Sequence, residues 1–229
     1  MTSIKRHSTL DTQLSRRLFS ETLATALLLA TVVGSGIMAE RLAGGNDALA
    51  LLGNTLATGA MLPVLITIFG PISGAHMNPA VSLGASVLRE LAWRELPLII
   101  GAQMTGAIIG VFCAHLMFDL PLLQVSTKLR LGPAQVFSEC VATFGLILTI
   151  LGTVRRAPSF TPVAVGLYIT AAYWFTASTS FANPAVTLAR ALTNTFAGIA
   201  PSGVMPFIAA QMIGLFAGLW GARLLWPQK

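Results

Sequence analysis

Two short runs in this sequence combine residue types that can act on a small solute: Asn78-Pro79-Ala80 and Asn183-Pro184-Ala185. Asn favours the N-cap of a helix, where its side-chain oxygen accepts an orphan backbone N–H, and Pro suits the first helical position, where no donor is needed. Each tripeptide therefore starts a helix. With the oxygen used as a cap, the amide NH2 stays free to donate to a passing oxygen, and the helix N-terminus adds about half a positive charge. Two such ends aimed at one place repel cations and offer donors to neutral hydroxylated molecules. A single Asn-Pro-Ala is merely a capped helix start; two at equivalent positions of a repeat mean more. No nucleophile stands with a base. His76, beside the first tripeptide, has no second ligand cluster around it. Neither an enzyme, a metal site nor a cofactor is expected.

The elements that must position these residues are written in the composition. The chain has 229 residues, 55% hydrophobic and 10% charged, with a mean hydropathy of +0.77, far outside the range of soluble domains. Residues 22–39, 48–88, 96–118, 157–189 and 191–222 contain no Asp, Glu, Lys or Arg. A spanning helix needs about 20 apolar residues, so these intervals hold five spans. A sixth runs from about Ala134 to Val154, with Glu139 its one charge. The net charge of +6 does not point to nucleic acid, because the basic residues are scattered over loops without stacking aromatics. With both termini cytoplasmic, Lys5, Arg6, Arg16, Arg17, Arg89, Arg94, Arg155, Arg156, Arg223 and Lys229 face inward, and only Arg41, Lys128, Arg130 and Arg190 face outward. That is the positive-inside pattern of a multi-pass inner-membrane protein. Leu18–Ala39 is too long for a signal peptide and reads as a retained first span. Cys113 and Cys140 each fall inside a span and read as small buried packing residues.

An internal repeat orders the whole chain. Ser20-Glu21-Thr22-Leu23-Ala24-Thr25 recurs as Ser138-Glu139-Cys140-Val141-Ala142-Thr143, Asn78-Pro79-Ala80-Val81-Ser82-Leu83 as Asn183-Pro184-Ala185-Val186-Thr187-Leu188, and Ala102-Gln103-Met104-Thr105-Gly106 as Ala210-Gln211-Met212-Ile213-Gly214. The expected organisation is a tail over 1–17 and one domain over 18–226, with repeats at about 18–118 and 134–226. The spans are expected at 18–40, 48–69, 96–118, 134–154, 161–178 and 204–226. Three spans per half force the second copy into the membrane upside down, so the shared site lies near the midplane. Each Asn-Pro-Ala falls in an uncharged stretch too long for a polar loop and too short for a span: a re-entrant segment. From Pro79 to Leu88 a helix covers about 15 Å, half of a roughly 30 Å hydrocarbon core. Gly106, Gly110, Gly214 and Gly218 make small faces on spans three and six, which serve packing.

Over 18–226 the chain resembles the major intrinsic proteins, the aquaporins and aquaglyceroporins, most specifically in Ser73-Gly74-Ala75-His76-Met77-Asn78-Pro79-Ala80. The resemblance implies an all-α membrane protein, a right-handed bundle of six transmembrane helices plus two re-entrant half-helices. It also implies a homotetramer in the lipid bilayer with one pore per subunit, and passive conduction of water and small neutral solutes. Members bury a glutamate in spans one and four to hold the re-entrant loops; Glu21 and Glu139 match. An intramembrane carboxylate needs such partners, and a proton relay is the sharper alternative. His76 is expected to pack or hydrogen-bond within the loop. His115 reads as a helix-end residue and His7 as part of the tail.

Water-selective members narrow the outer pore with an arginine directly after the second Asn-Pro-Ala, an aromatic on span two and a histidine on span five. This chain departs from them with Val186 and Thr58 at the first two positions. Ser180 holds the loop position three residues before Asn183, and the span-five position falls at Tyr173, with Ala171 or Ala172 open. Val and Thr should widen this selectivity filter and remove a fixed charge, at some cost in cation exclusion. Arg190, one helical turn on, either reaches back to compensate or sits solvated at the helix end. The filter and the run Thr195-Phe196-Ala197-Gly198-Ile199-Ala200-Pro201 are similar to a metalloid-associated bacterial branch, which implies glycerol-like polyols and arsenite as solutes. The alternatives are a predominantly water-selective channel, an ion-coupled transporter, which also uses inverted repeats and broken helices, and a membrane scaffold.

Overall fold

A computed structural model describes residues 2–227, with side-chain surroundings from Gln13 onward. The side chains of Lys5, Arg6 and His7, and Lys229, lie outside the described residues. Eight α-helices follow in order: α1 (Thr2–Leu42), α2 (Asp47–Ser73), α3 (Pro79–Val87), α4 (Leu96–Met117), α5 (Pro133–Arg156), α6 (Thr161–Phe175), α7 (Pro184–Ala189) and α8 (Pro201–Leu225). The pattern of two long helices, a short one and a long one occurs twice, and no strand occurs among the described residues. Among the described residues, five helices are long and apolar enough to cross a membrane.

The sixth long helix, α6, has 15 residues instead of the 18 expected. Thr161-Pro162 opens it after a 3-10 turn at Pro158–Phe160, and at Thr176 the backbone turns extended. In the first half the corresponding helix runs on to Ser73, where Gly74 at φ 92° caps it. Helix α1 is continuous from Thr2, through the residues expected as a tail, and its apolar part runs from Gln13 to Leu42.

Helix α1 packs on α2 and α4, α5 packs on α6 and α8, and α2 meets α6 to join the halves. With little hydrophobic force between helices in lipid, close backbone approach supplies the attraction. A Cβ at Gly106 would land on the Thr22 carbonyl, and one at Gly214 on the carbonyl of Cys140, the residue equivalent to Thr22. The seam between halves is as tight, since a Cβ at Gly166 would lie 2.5 Å from the Gly59 carbonyl. Polar clasps repeat this logic. Asn54 Nδ2 donates to the Val32 carbonyl at 2.8 Å, and Tyr168 Oη donates to the Ala142 carbonyl at 2.9 Å.

Each short helix touches the last long helix of both halves, and the two short helices touch each other. The outer faces of the bundle carry Leu56, Ile109, Phe137, Met205, Ile213 and Trp220, all exposed. Cys113 is also exposed and Cys140 half-buried, which corrects the expectation of two buried cysteines. Cys113 lies on a helix face turned from the core, and Cys140 sits beside the α5–α8 contact.

Candidate functional site

The site is built from the two loops that lead into α3 and α7. Asn78 and Asn183 take extended backbone conformations, φ −156° and −159°, and cap the short helices. Asn78 Oδ1 accepts the Ala80 N–H at 2.9 Å, and Asn183 Oδ1 accepts those of Ala185 and Val186 at 3.0 and 3.3 Å. The amides are less free than the sequence suggested. Asn78 Nδ2 donates to the Ala182 carbonyl at 2.8 Å, and Asn183 Nδ2 to the Met77 carbonyl at 2.7 Å. An amide carries two N–H donors, so one ties the opposing loop and one is left over. Pro79, Ala80, Pro184 and Ala185 follow as the first buried residues of the two helices.

These loops are strained in matching places. Ala75, Met77, Thr179, Ser180 and Ala182 have φ between 46° and 62°, a left-handed conformation costing roughly 1–2 kcal/mol per residue with a Cβ. Two fully buried carboxylates hold it. Glu21 accepts from His76 N at 2.9 Å and Met77 N at 2.8 Å. Glu139 accepts from Phe181 N and Ala182 N, both at 2.8 Å. Each carboxylate also takes a glutamine: Gln103 Nε2 reaches Glu21 and Ser82 Oγ at 2.8 Å each. Gln211 Nε2 reaches Glu139 at 2.6 Å and Thr187 Oγ1 at 2.8 Å. Neither glutamine is among the site residues expected from the sequence. Their signal was present, since an amide recurs at equivalent positions of two apolar spans. His76 sets its Nδ1 3.0 Å from Ser82 Oγ.

A cavity of about 340 Å³ runs from Val154 and Glu90, past Asn78 and Asn183, to Thr58 and Arg190. The four residues expected as a filter, Thr58, Tyr173, Ser180 and Val186, all line it and all are buried. Tyr173 lies with its Oη 3.4 Å from Thr58 Oγ1. Ala172 is fully buried and Ala171 exposed, and neither lines the cavity.

Arg190 is 2% exposed, which rules out a solvated helix end. It begins a 3-10 turn after α7, donates Nε–H to the Ala197 carbonyl, and lays its guanidinium 3.5 Å from the Phe181 ring centre. The segment from Phe118 to Gly132 folds back against residues 191–200. Ser126 N bonds to the Ala191 carbonyl and Ala200 N to the Lys128 carbonyl. Arg130 pins this roof, donating to the carbonyls of Gly198, Ser178 and Phe196 and to Thr179 Oγ1. Burial, and next the charge of Arg130, push the Lys128 ammonium below the usual lysine range. His115 is at a helix end, as expected, but fully buried, with Nε2 2.8 Å from Thr193 Oγ1.

An inverted repeat of apolar helices, closed around two capped half-helices, is the architecture of a multi-pass membrane channel. The chain belongs to the major intrinsic protein family, whose model, described as major intrinsic protein, matches residues 8–182. It is 57% identical over 217 residues to the aquaglyceroporin AqpS of Rhizobium meliloti (strain 1021), an alignment covering 94% of this chain and 93% of that one. It is 31% identical over 175 residues to the glycerol uptake facilitator protein of Bacillus subtilis (strain 168), covering 66% and 64% of the two chains. The X-ray structure of the aquaglyceroporin from Plasmodium falciparum shares the fold, with a TM-score of 0.76 over 93% of this chain and 98% of that one, at 20% identity. Proteins of this family are channels, and this chain is a channel and not an enzyme.

Proposed function

We propose that the protein conducts small neutral solutes passively: water, glycerol-like polyols and metalloid hydroxides such as trivalent arsenic hydroxide. The observation that carries the reading is the reciprocal pair of amide bonds, Asn78 to Ala182 and Asn183 to Met77. They fix two helix starts face to face along one cavity, each with an N–H to spare. A neutral hydroxyl there finds donors, while a cation meets the positive ends of two half-helices. Thr58 and Val186 take less space than an aromatic and an arginine, and the names of AqpS and of the Bacillus facilitator agree with a solute larger than water. The same proposal has the protein act as a homotetramer in the cell (inner) membrane with both termini cytoplasmic.

A second reading, predominant water selectivity, draws on Tyr173, an aromatic lining the cavity with its Oη 3.4 Å from Thr58 Oγ1. Stopped-flow light scattering of proteoliposomes separates the two. The first reading expects glycerol and arsenite to enter well above the rate of empty liposomes. Water flux with neither solute would establish the second reading and end the first.

A further inference from the structure

We propose that Arg190 is the cation of the outer filter, set one turn along from the residue that follows the second Asn-Pro-Ala. This deepens the conduction reading and rests on it. Val186 and Arg190 are four residues apart at the end of one short helical segment, so they share a face, and both line the cavity with Thr58 and Tyr173. The guanidinium is almost fully buried, yet no carboxylate lies within ion-pair distance of it among the described residues. A buried cation without a counter-ion is costly to a fold. Partial compensation comes from the Phe181 ring beneath it and the Ala197 carbonyl at Nε. Phe181 is itself fixed, edge-on to Phe207 with ring centres 5.3 Å apart.

Arg130 supplies the contrast. It lies over the same Phe181 ring, at 5.4 Å, but its Nε and both Nη nitrogens are bonded to protein oxygens, and it does not line the cavity. Its role is to hold the roof. Both Nη nitrogens of Arg190 have no protein acceptor among the described residues, so they remain available to the cavity. A planar fork of N–H donors on a permanent charge repels cations and donates to hydroxyl or carbonyl oxygens of neutral solutes. Val186 thus leaves room at the usual arginine position, and Arg190 supplies the charge from the next turn. The pore is wide and still closed to cations.

The test compares urea with guanidinium, which have the same planar shape and differ in charge. Uptake of each is measured against water flux in proteoliposomes containing wild type, Arg190→Gln, Arg190→Met or Arg190→Lys. Wild type should pass urea and hold guanidinium at the level of empty liposomes. Gln and Met should raise the guanidinium-to-water ratio about tenfold or more, while Lys, which keeps the charge, should stay within about twofold of wild type. Guanidinium entry through wild type overturns the proposal, as does a Gln or Met channel that conducts water and remains closed to guanidinium. Wild type that passes water but neither urea nor glycerol overturns the solute reading instead, and the guanidinium-to-water ratio still decides the role of Arg190.

Discussion

The side-chain amide of Asn183 donates to the backbone carbonyl of Met77, 106 residues earlier, at 2.7 Å. Asn78 returns the bond to Ala182. The two halves are thus joined at the site through the side chains that cap the half-helices, so capping and joining depend on the same two residues, to which the proposed function adds solute recognition.

Asn183→Ala removes a cap and a buried inter-loop bond together. Each is worth about 1 kcal/mol, and the Met77 carbonyl is left unpaired. A lowered melting temperature in detergent and at least about a tenfold loss of glycerol flux are expected. Asn78→Ala should behave alike by the repeat, and a variant of either residue with wild-type flux would show that the amide is dispensable.

Glu139→Ala strands the N–H groups of Phe181 and Ala182 and one N–H of Gln211 Nε2. Leaving a buried donor unsatisfied costs about 1–3 kcal/mol, and the left-handed loop loses its anchor. The protein is expected to lose monodispersity on size exclusion. Glu139→Gln should fare little better, because an amide NH2 would face N–H groups. Gln211→Ala leaves the loop bonds in place and should be the mildest of the three.

Val186→Arg tests the filter from the other side. A second guanidinium beside Arg190 fills the space that Val186 leaves, so glycerol and arsenite fluxes should fall by about tenfold while water flux changes by less than about threefold. Paired flux measurements on one preparation check this. Equal suppression of water and glycerol would contradict the steric argument.

Gly106→Leu should separate α1 from α4, because the added side chain meets the Thr22 backbone. Overpacking of this kind costs roughly 1–3 kcal/mol. Gly214→Leu should cost a similar amount against Cys140, while Gly101→Leu, with nothing within 4 Å of its added Cβ, should melt like wild type.

What the sequence disclosed and what it withheld divide along physical lines. Local chemistry was legible: Asn78-Pro79 and Asn183-Pro184 announce capped starts, and the run of apolar spans, with its duplicated order, announces two like halves around a shared site. The demand of Glu21 and Glu139 for partners was also legible, because a carboxylate in an apolar span requires them. Bonds that join distant residues were not. The Asn183–Met77 and Asn78–Ala182 pairs exist only once two re-entrant loops meet, so the amides looked freer than they are. The direction of Arg190 was equally hidden, since a residue at the end of a short helix can turn to solvent or inward. It is Phe181 and the Ala197 carbonyl, contributed by other loops, that turn it in. Cys113 misled for the converse reason: in a membrane helix the exposed face is as apolar as the buried one, and periodicity does not separate them.

The central claim is passive conduction of neutral solutes past the paired asparagines. It is tested most directly by stopped-flow swelling of wild-type proteoliposomes in a glycerol gradient, with and without ionophores that collapse ion gradients. The account predicts swelling about tenfold or more faster than in empty liposomes, linear in glycerol concentration and indifferent to ionophores. Swelling no faster than in empty liposomes, or uptake that saturates and stops when ion gradients are removed, would contradict it.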